Sequence, residues 1–399
     1  MTNLSRRSFL SSGLGALGGV TLMASPGASL SLLGGPRGED ERTLVLIEFK
    51  GGNDGLSTLV PYGDDAYYNL RKRTRVEPKK LHRIDEYRGL QPELQALARR
   101  YEQGSVAVVQ GVGYPNANLS HFKSLEIWHT ADLRGRAGND GWIGRLCANT
   151  WPDRSLPERT IHIGPEAPYS LASATHPPVA FHSPDTYRWL GDEDAEASLG
   201  DDGQPTGNPV LDRVRGVMRD ARGSSERILR VVRKYETKVD YPGTDSGRAL
   251  RSAAALIDAR LGSRVISIRI GGFDTHANQS FDHPDVMRKV DASLDAFLTD
   301  VQRSEAGKRT LVVAYSEFGR RVRENGSGGT DHGKAGVLFA VGADVRGGLY
   351  GEYPSLTDLD DHDLRFNVDF RRVYASAIRY MGGDDEAVLG ARFEALPYV

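Results

Sequence analysis

The sequence predicts an α/β protein built on a central β-sheet. Residues 309–315 (RTLVVAY) are short, β-branched and nearly uncharged, which is typical of a central strand covered on both faces. Segments with helical periodicity, such as 92–103 and 284–304, alternate with runs of this kind. Three further runs have strand character: 43–49 (TLVLIEF), 105–110 (SVAVVQ) and 264–270 (RVISIRI).

The remaining segments are shorter or less regular. Residues 121–130 (HFKSLEIWHT) are predicted to form an amphipathic helix, and residues 62–73 an irregular surface segment. Residues 160–164 and 179–182 are predicted to be short strands near the edge of the sheet. We expect one domain over 42–399, with an irregular insertion around 150–245.

The composition excludes some classes of partner and site. With 399 residues, the chain can bury a large core. Its 51 basic and 53 acidic residues nearly balance, so the overall charge gives no support for a nucleic-acid partner. Cys147 is the single cysteine, which excludes an intramolecular disulfide and a zinc site with four thiolate ligands.

The N-terminus has the features of an export signal. Arg6 and Arg7 precede a weakly apolar, glycine-rich run at 11–24, which small residues follow. This arrangement predicts a twin-arginine signal peptide at 1–28, followed by a linker at 29–41. A membrane anchor is the weaker alternative, because the run is too short and too rich in Gly and Ser to span a bilayer. We expect export by the twin-arginine translocase, no stable membrane span in the mature chain, and a periplasmic or extracellular location.

Acidic and imidazole side chains follow three of the predicted strands, 43–49, 264–270 and 309–315. Ligands of open α/β sheets bind outside the carboxyl ends of the strands, and these side chains are metal ligands. The alternative for each motif is a simple turn, because Asn, Asp and Gly favour turns. Their recurrence at strand ends favours a clustered site for one or two divalent ions, with zinc, manganese and calcium all open. The candidate ligands are Asp54, Asp274, His276, Glu317, Asp331 and His332.

Ser120 stands at the predicted start of the helix 121–130. A serine at this position is usually an N-cap. The same position faces the free N–H groups of the first helical turn, where a phosphate or sulfate group can bind. Such a serine becomes a nucleophile if a bound divalent metal lowers the pKa of its hydroxyl. Both interpretations stay open at this point.

Several motifs together resemble the DUF1501 family of exported bacterial proteins. In addition to the twin arginines, they are FKGGNDGLS at 49–57, GGFDTH at 271–276, SEFGRR at 316–321 and GTDHG at 329–333. The resemblance extends over essentially the whole mature chain. That family is similar to the alkaline phosphatase and sulfatase superfamily. The resemblance therefore implies an alkaline-phosphatase-like, three-layer α/β sandwich with a mostly parallel central sheet.

The resemblance also implies roles for individual residues. Asp54 or Asn53 matches the metal-binding acid that ends the first strand of the superfamily. Ser120 matches the nucleophile that opens a helix after the next strand. Asp274 and His276 match an acid and a histidine that follow a later strand.

This sequence departs from the superfamily pattern in two places. Asp274 and His276 are two residues apart, whereas the corresponding pair is usually four apart. Glu317 and the following phenylalanine stand where an Asp-His pair is usual, and the late histidine is matched best by His332. A single metal, a shifted second ion bound by Asp331, or a retired active site would each fit these departures.

Two functions are compatible with the sequence. The first is an exported, metal-dependent hydrolase of small phosphate or sulfate esters, with Ser120 as its nucleophile. The second is a non-catalytic binding or envelope-associated protein on a degenerate phosphatase/sulfatase fold. Ser120 favours the first function, and the replacement at Glu317 favours the second. The candidate substrate-binding residues are Asn53, His121, Arg320 and Lys334, of which the last two would offset the charge of an anion.

Overall fold

The computed structural model describes residues 41–134, 138, 140–153, 156–184, 187 and 206–399. The predicted signal peptide at 1–28 lies outside these residues, as does the linker up to residue 40. None of the helices in the described ranges combines the length and apolar character that crossing a bilayer requires.

The four predicted runs at 43–49, 105–110, 264–270 and 309–315 all form strands of six or more residues, and so do residues 336–341, for which no strand was predicted. In chain order the strands are β1 (Thr43–Phe49), β2 (Leu59–Val60), β3 (His82–Arg83), β4 (Gly89–Leu90), β5 (Val106–Gly113), β6 (Thr160–Ile163), β7 (Val179–Phe181), β8 (Val265–Ile270), β9 (Thr310–Tyr315), β10 (Gly319–Arg320), β11 (His332–Gly333), β12 (Gly336–Val341), β13 (Gly348–Tyr350), β14 (Leu359–Asp360), β15 (Asp363–Leu364) and β16 (Val368–Asp369).

The helices lie between these strands in the chain. In chain order they are α1 (Gly55–Thr58), α2 (Asp65–Leu70), α3 (Gln95–Glu102), α4 (His121–Thr130), α5 (Trp142–Thr150), α6 (Pro209–Lys234), α7 (Asp245–Asp258), α8 (Gln279–Val301), α9 (Glu305–Lys308), α10 (Phe370–Tyr380) and α11 (Asp385–Leu389), with short 3₁₀ turns at Pro78–Lys80, Pro157–Arg159 and Tyr169–Leu171.

Among the described residues the main sheet has nine strands: eight lie in the order β13, β5, β12, β9, β1, β8, β6 and β7, and β16 pairs with β5. Strands β9, β1, β8, β6 and β7 are parallel to one another. Strand β12 is antiparallel to both β9 and β5, so β5 runs in the same direction as β9. The carboxyl ends of β1, β5, β8 and β9 therefore lie at one edge of the sheet.

Helices cover both faces of this sheet. Alternate residues of β1 enter two separate cores, because successive side chains of a strand point to opposite faces. Val45 and Ile47 pack with α7 and α8, whereas Leu44 and Leu46 pack with α5 and α10. Each such buried side chain contributes about 1.5–3 kcal/mol. The predicted three-layer α/β sandwich with a mostly parallel sheet is confirmed.

The prediction of an irregular surface segment at 62–73 is wrong. Residues Asp65–Leu70 form a helix, and the Asp64 carboxylate caps its first turn. Tyr67 and Arg71 are fully buried. The sequence gives no sign of this burial, because the groups that neutralise and bond Arg71 come from other loops.

The long helix α8 begins earlier than its predicted start at Pro284, which lies inside the helix. The Gln279 backbone N–H donates to Gly328 O at 3.0 Å, and this bond fixes the first turn. The His283 side chain is also fixed, by a 2.9 Å contact between its Nε2 and Asn53 Oδ1. Contacts with distant loops therefore extend the helix toward the carboxyl edge of the sheet.

Candidate metal centre

Two histidines converge on one carboxylate where the loops after β8 and β9 meet. Asp274 follows β8, and its Oδ1 lies 3.1 Å from His276 Nε2. His332 returns to the same point because β11 pairs with β10. His332 Nε2 lies 3.2 Å from Asp274 Oδ1 and 2.9 Å from His276 Nε2. Three potential ligand atoms thus form a compact triangle.

A third imidazole approaches from the other side. His121 is the first residue of α4, and its Nε2 lies 3.5 Å from Asp274 Oδ2. One ligand atom each from His121, Asp274 and His332 all lie within 4.8 Å of one another. The carboxylate of Asp274 is therefore surrounded by three imidazole nitrogens, from His121, His276 and His332, which together with Asp274 are called the histidine cluster below.

The Nδ1 atoms of the three histidines face oxygen acceptors. A carbonyl or an ionised carboxylate can only accept, so each contact places the ring hydrogen on Nδ1 in the neutral form. Each Nε2 then presents a lone pair toward Asp274, which is itself an acceptor. Such a set of converging acceptors is suited to a cation, and oriented Nδ1 atoms are typical of metal-binding histidines. The acceptors are Leu119 O for His332 (2.7 Å), Glu317 Oε1 for His121 (2.8 Å) and Asp331 Oδ1 for His276 (3.3 Å).

Arg320 holds Asp274 in place from beneath. Its Nη2 donates to Asp274 Oδ1 at 2.7 Å, and its other nitrogens donate to Gly52 O and Thr330 O at 2.7 Å. Burial opposes ionisation of Asp274, but the hydrogen bond and the positive charge of Arg320 help to lower its pKa to about 2. The carboxylate is therefore negative at neutral pH. The side chain of Arg320 itself is not exposed, so it is not open to a substrate anion.

The histidines differ in how readily they hold a second proton. Burial lowers the pKa of His332, with the charge of Arg320 acting in the same direction. His332 is therefore neutral at pH 7, and its Nε2 lone pair is available. The hydrogen bond with Glu317 raises the pKa of His121. His121 is therefore protonated more readily than His332.

Asp54 lies in a different set of contacts. It forms an ion pair with Arg71, with Nη1–Oδ2 at 2.5 Å and neither side chain exposed. Ser57 Oγ donates to the same oxygen at 2.7 Å, and the amide of Gln279 also donates to it. Burial would raise the pKa of Asp54, but Arg71 holds it well below its usual range. The structure does not bring Asp54 to the histidine cluster.

Glu317 lies behind His121 and is fully buried. Its carboxylate accepts from Gly51 N at 3.0 Å, from Gly52 N at 3.3 Å and from Ser316 Oγ at 3.0 Å. Together with the His121 contact, these bonds occupy both oxygens. Glu317 therefore fixes the turn after β1 and orients His121, and it does not face the centre of the cluster.

Asp331 is half-exposed and supports the cluster from outside. Its Oδ1 faces His276 Nδ1 and also accepts from Asn325 Nδ2 at 3.1 Å. Asn325 in turn donates to His276 O at 2.9 Å. Hydrogen bonds to Asn325 and His276 lower the pKa of Asp331, so its charge faces the imidazole at neutral pH.

Two predicted substrate-binding residues have partners elsewhere. Asn53 is buried, and its Oδ1 accepts from Thr58 Oγ1 at 3.1 Å and contacts His283 Nε2 at 2.9 Å. Lys334 Nζ lies 2.9 Å from Asp360 Oδ2. The structure does not direct either side chain toward the cluster.

Ser120 occupies the N-cap position of α4 but does not act as a cap. Its hydroxyl accepts no hydrogen bond from the first turn, and the residue is exposed. Its neighbours on both sides belong to the cluster or hold it, since Leu119 O accepts from His332 and His121 faces Asp274. Ser120 therefore adjoins His121 of the histidine cluster in the chain, and its hydroxyl makes no hydrogen bond to the described residues.

Several residues that hydrogen-bond the predicted site residues were not predicted from the sequence. Arg71, Gln279 and Asn325 bond the predicted site residues Asp54 and Asp331. Gln279 follows the GGFDTH motif within one turn, and this proximity is the one signal that could have identified it. Arg71 and Asn325 lie in polar segments of the sequence, where side chains are expected to be exposed to solvent.

The DUF1501 family model, described as a protein of unknown function, matches residues 222–395. The predicted resemblance to DUF1501 is confirmed. The DUF1501 match contains Asp274, His276, Arg320 and His332, which are most of the cluster and its support. Ser120 and His121 lie before the matched residues.

Solved structures similar to this chain have low identity to it. They include a protein in the alkaline phosphatase superfamily from Vibrio parahaemolyticus, with 10% identity, a TM-score of 0.39 and coverage of 87% of this chain and 69% of that chain. A sulfatase from Pseudoalteromonas sp. has 11% identity, a TM-score of 0.41 and coverage of 90% and 71%. The lipoteichoic acid synthase LtaP from Listeria monocytogenes has 8% identity, a TM-score of 0.37 and coverage of 79% and 67%. At these TM-scores the likenesses do not bear on the chemistry of the site. No curated protein matches the chain.

Proposed function

We propose that this chain is an exported, metal-dependent hydrolase of phosphate or sulfate esters with Ser120 as its nucleophile. The observation that supports it best is the histidine cluster, in which the Nε2 atoms of three imidazoles face one ionised carboxylate. A cation is the natural occupant of such a set. Ser120, which precedes His121 in the chain and whose hydroxyl does not cap the helix, would supply the nucleophile.

The donor atoms fit a small divalent ion. A tetrahedral zinc ion with ligands at about 2.0–2.2 Å holds neighbouring ligand atoms about 3.3 Å apart. The three separations within Asp274, His276 and His332 are 2.9, 3.1 and 3.2 Å. Imidazole ligands favour zinc, whereas manganese and calcium are better suited by oxygen ligands. When bound, such an ion polarises an ester and lowers the pKa of a nearby hydroxyl.

The other residues of the site would have separate roles. His121 would bind the negative phosphate or sulfate group, because its contact with Glu317 favours the protonated ring; as a neutral ring it would be a fourth ligand. Ser120 Oγ would form the new bond to phosphorus or sulfur while the ester oxygen leaves as the alcohol. Water would then release the group from the serine. Arg320 would keep Asp274 ionised and in position throughout.

Metal content tests this proposal directly. The purified protein is dialysed against zinc, manganese or calcium, and bound metal is measured by elemental analysis beside hydrolysis of p-nitrophenyl phosphate and p-nitrophenyl sulfate. We expect one tightly bound ion per chain, lost in His276→Ala and His332→Ala. His362→Asn is the matched control, because His362 is exposed at positive φ, which asparagine tolerates. A wild-type protein that binds none of the three metals would refute the hydrolase.

A binding protein is the second candidate, and one observation favours it. Asp54 and Glu317, two of the predicted ligands, are both occupied by buried hydrogen bonds. Of the one or two ions predicted from the sequence, the remaining ligand atoms suffice for one. A metal-loaded protein that hydrolyses neither ester, and whose ligand binding is unchanged in Ser120→Ala, would support this candidate.

Export is part of the proposal and rests on the sequence. Changing Arg6 and Arg7 together to lysine should leave the protein in the cytoplasm, because the twin arginines are the address that the translocase reads. Fractionation of cells with an antibody against the chain measures this. Arg37→Lys, in the linker, is the control and should be exported normally. Normal export of the double variant would contradict the twin-arginine route.

A further inference from the structure

The histidine cluster borders a large cleft at the same edge of the sheet. The cleft has a volume of about 1190 Å³, and Asp274 lines one end of it. Its floor is formed by the ends of β6 and β8, and its walls by the start of α7 and the first turns of α8. Asp274 is 49% exposed, so its carboxylate is accessible from this side. The cleft and the cluster thus share one residue.

The size of the cleft exceeds what a phosphate or sulfate group requires. Pockets of about 300–1,000 Å³ enclose whole drug-sized ligands. A small monoester bound at Asp274 would leave most of the 1190 Å³ unfilled. The cleft therefore fits the alcohol part of a large ester.

The lining indicates the chemistry of that alcohol. More than half of the described lining residues are charged or carry a hydroxyl or imidazole group, and none of them is Phe, Tyr or Trp. The positive and negative side chains are nearly equal in number, so the cleft is not built for a polyanion. Bases of nucleotides stack on aromatic rings, which the described lining lacks, and the aliphatic side chains of the lining are interspersed with a larger number of charged and hydroxyl-bearing ones.

Some of these polar groups are available to a ligand. Arg248 and Lys289 are paired with neighbouring aspartates on their own helices. Asp282 and His182 line the cleft, and their side chains make no hydrogen bond or ion pair with the described residues. A carboxylate and an imidazole offer both acceptors and donors, which a chain of hydroxyl groups can satisfy together.

We propose that the cleft binds the alcohol portion of a large, hydroxyl-rich phosphate or sulfate monoester, of the size and polarity of an oligosaccharide. This rests on the proposed function, because it places the ester group at the histidine cluster. Binding energy from the remote part of such a substrate would orient the ester at the cluster.

The test uses a large side chain to fill the cleft. Gly243 lines the cleft, and an added Cβ there would meet nothing within 4 Å; the same holds for Gly216, on α6 and outside the cleft. Gly243→Trp and its matched control Gly216→Trp should therefore both fold. Their hydrolysis of p-nitrophenyl phosphate and sulfate is compared with that of maltotetraose 6-phosphate and 6-sulfate. Binding of the maltotetraose esters is measured separately by calorimetry on metal-loaded Ser120→Ala protein with and without Gly243→Trp.

We expect Gly243→Trp to lower kcat/KM for the maltotetraose esters at least about tenfold and to leave the p-nitrophenyl esters unchanged. Gly216→Trp should change neither. An equal effect of Gly243→Trp on both classes, or none on either, would overturn the inference. If p-nitrophenyl esters are hydrolysed but no maltotetraose ester binds, the inference fails and the proposed function stands. If maltotetraose esters bind, Gly243→Trp abolishes their binding and no ester is hydrolysed, the proposed hydrolase fails while the cleft remains a glycan-binding site.

Discussion

Replacing Asp54 by asparagine separates two roles that this residue could have. In the structure, Asp54 is the buried partner of Arg71, and it also accepts from Ser57 Oγ and Leu56 N at 2.7 and 3.2 Å. Asparagine keeps one acceptor oxygen but loses the charge and turns an N–H₂ group toward other donors. Arg71 would then keep its bonds to backbone carbonyls but lose its charged partner.

Breaking one side of a buried ion pair costs about 3–5 kcal/mol, because the remaining charge is left uncompensated. We therefore expect Asp54→Asn to lower the free energy of unfolding by about this amount. Arg71→Met should cost a similar amount. The double variant should recover part of the loss, with a coupling energy of about 1–3 kcal/mol.

The assay is denaturant unfolding of metal-free protein at pH 7, so that bound metal does not add to the stability. Metal content is measured in parallel on metal-loaded samples. We expect Asp54→Asn to retain the metal, because no described contact joins Asp54 to the histidine cluster. A variant that loses the metal while its unfolding free energy changes by less than about 1 kcal/mol would show that Asp54 is a ligand and refute this reasoning.

Three other predictions test separate parts of the structure. Burial opposes the ionisation of Glu48, but His129 and a neighbouring arginine lower its pKa from 4.5 to about 2. A lowered pKa stabilises the fold above pH 4.5, so the free energy of unfolding should fall by roughly 3 kcal/mol as the pH decreases toward 2. Glu48→Gln should remove this part of the pH dependence of unfolding. Gly51→Ala should weaken metal binding about tenfold or more in a chelator competition, because Gly51 has φ of +125° and an added Cβ would clash with the Asp274 backbone; unchanged affinity would contradict this. Ser120→Ala should change the unfolding free energy by less than about 0.5 kcal/mol and abolish ester hydrolysis, whereas a loss of about 1 kcal/mol would mean that the serine is a cap after all.

The layers of the fold could be predicted because hydrophobic patterns are local. Strands β1, β8 and β9 are short runs of apolar residues in the sequence, and each is almost wholly buried. The short strands β6 and β7 lie at the predicted edge of the sheet. The start of α8 could not be predicted, since it depends on a bond from Gln279 to a loop about fifty residues away in the chain.

The candidate site could be predicted only in part, for a related reason. The positions of the strand ends predicted that Asp274, His276 and His332 would lie at one edge of the sheet, and the structure brings these three residues together. The orientation of the other acids depends on partners that spacing does not reveal. Glu317 points to the backbone N–H groups of Gly51 and its neighbour, which belong to the first strand's turn. A carboxylate at a strand end is therefore free to bind a metal only if nearby N–H and O–H groups do not already bond its oxygens.

The two-residue spacing of Asp274 and His276 bears on whether the site is still a metal site. In a cluster built from one loop, a changed spacing would misplace a ligand. Here the candidate ligand atoms come from three segments, and each imidazole is oriented by its own acceptor. His332 reaches Asp274 through the β10–β11 pairing, which does not depend on the spacing after β8. The altered spacing therefore leaves a set of donors for one ion intact, and it is the engagement of Asp54 and Glu317 that argues against a second.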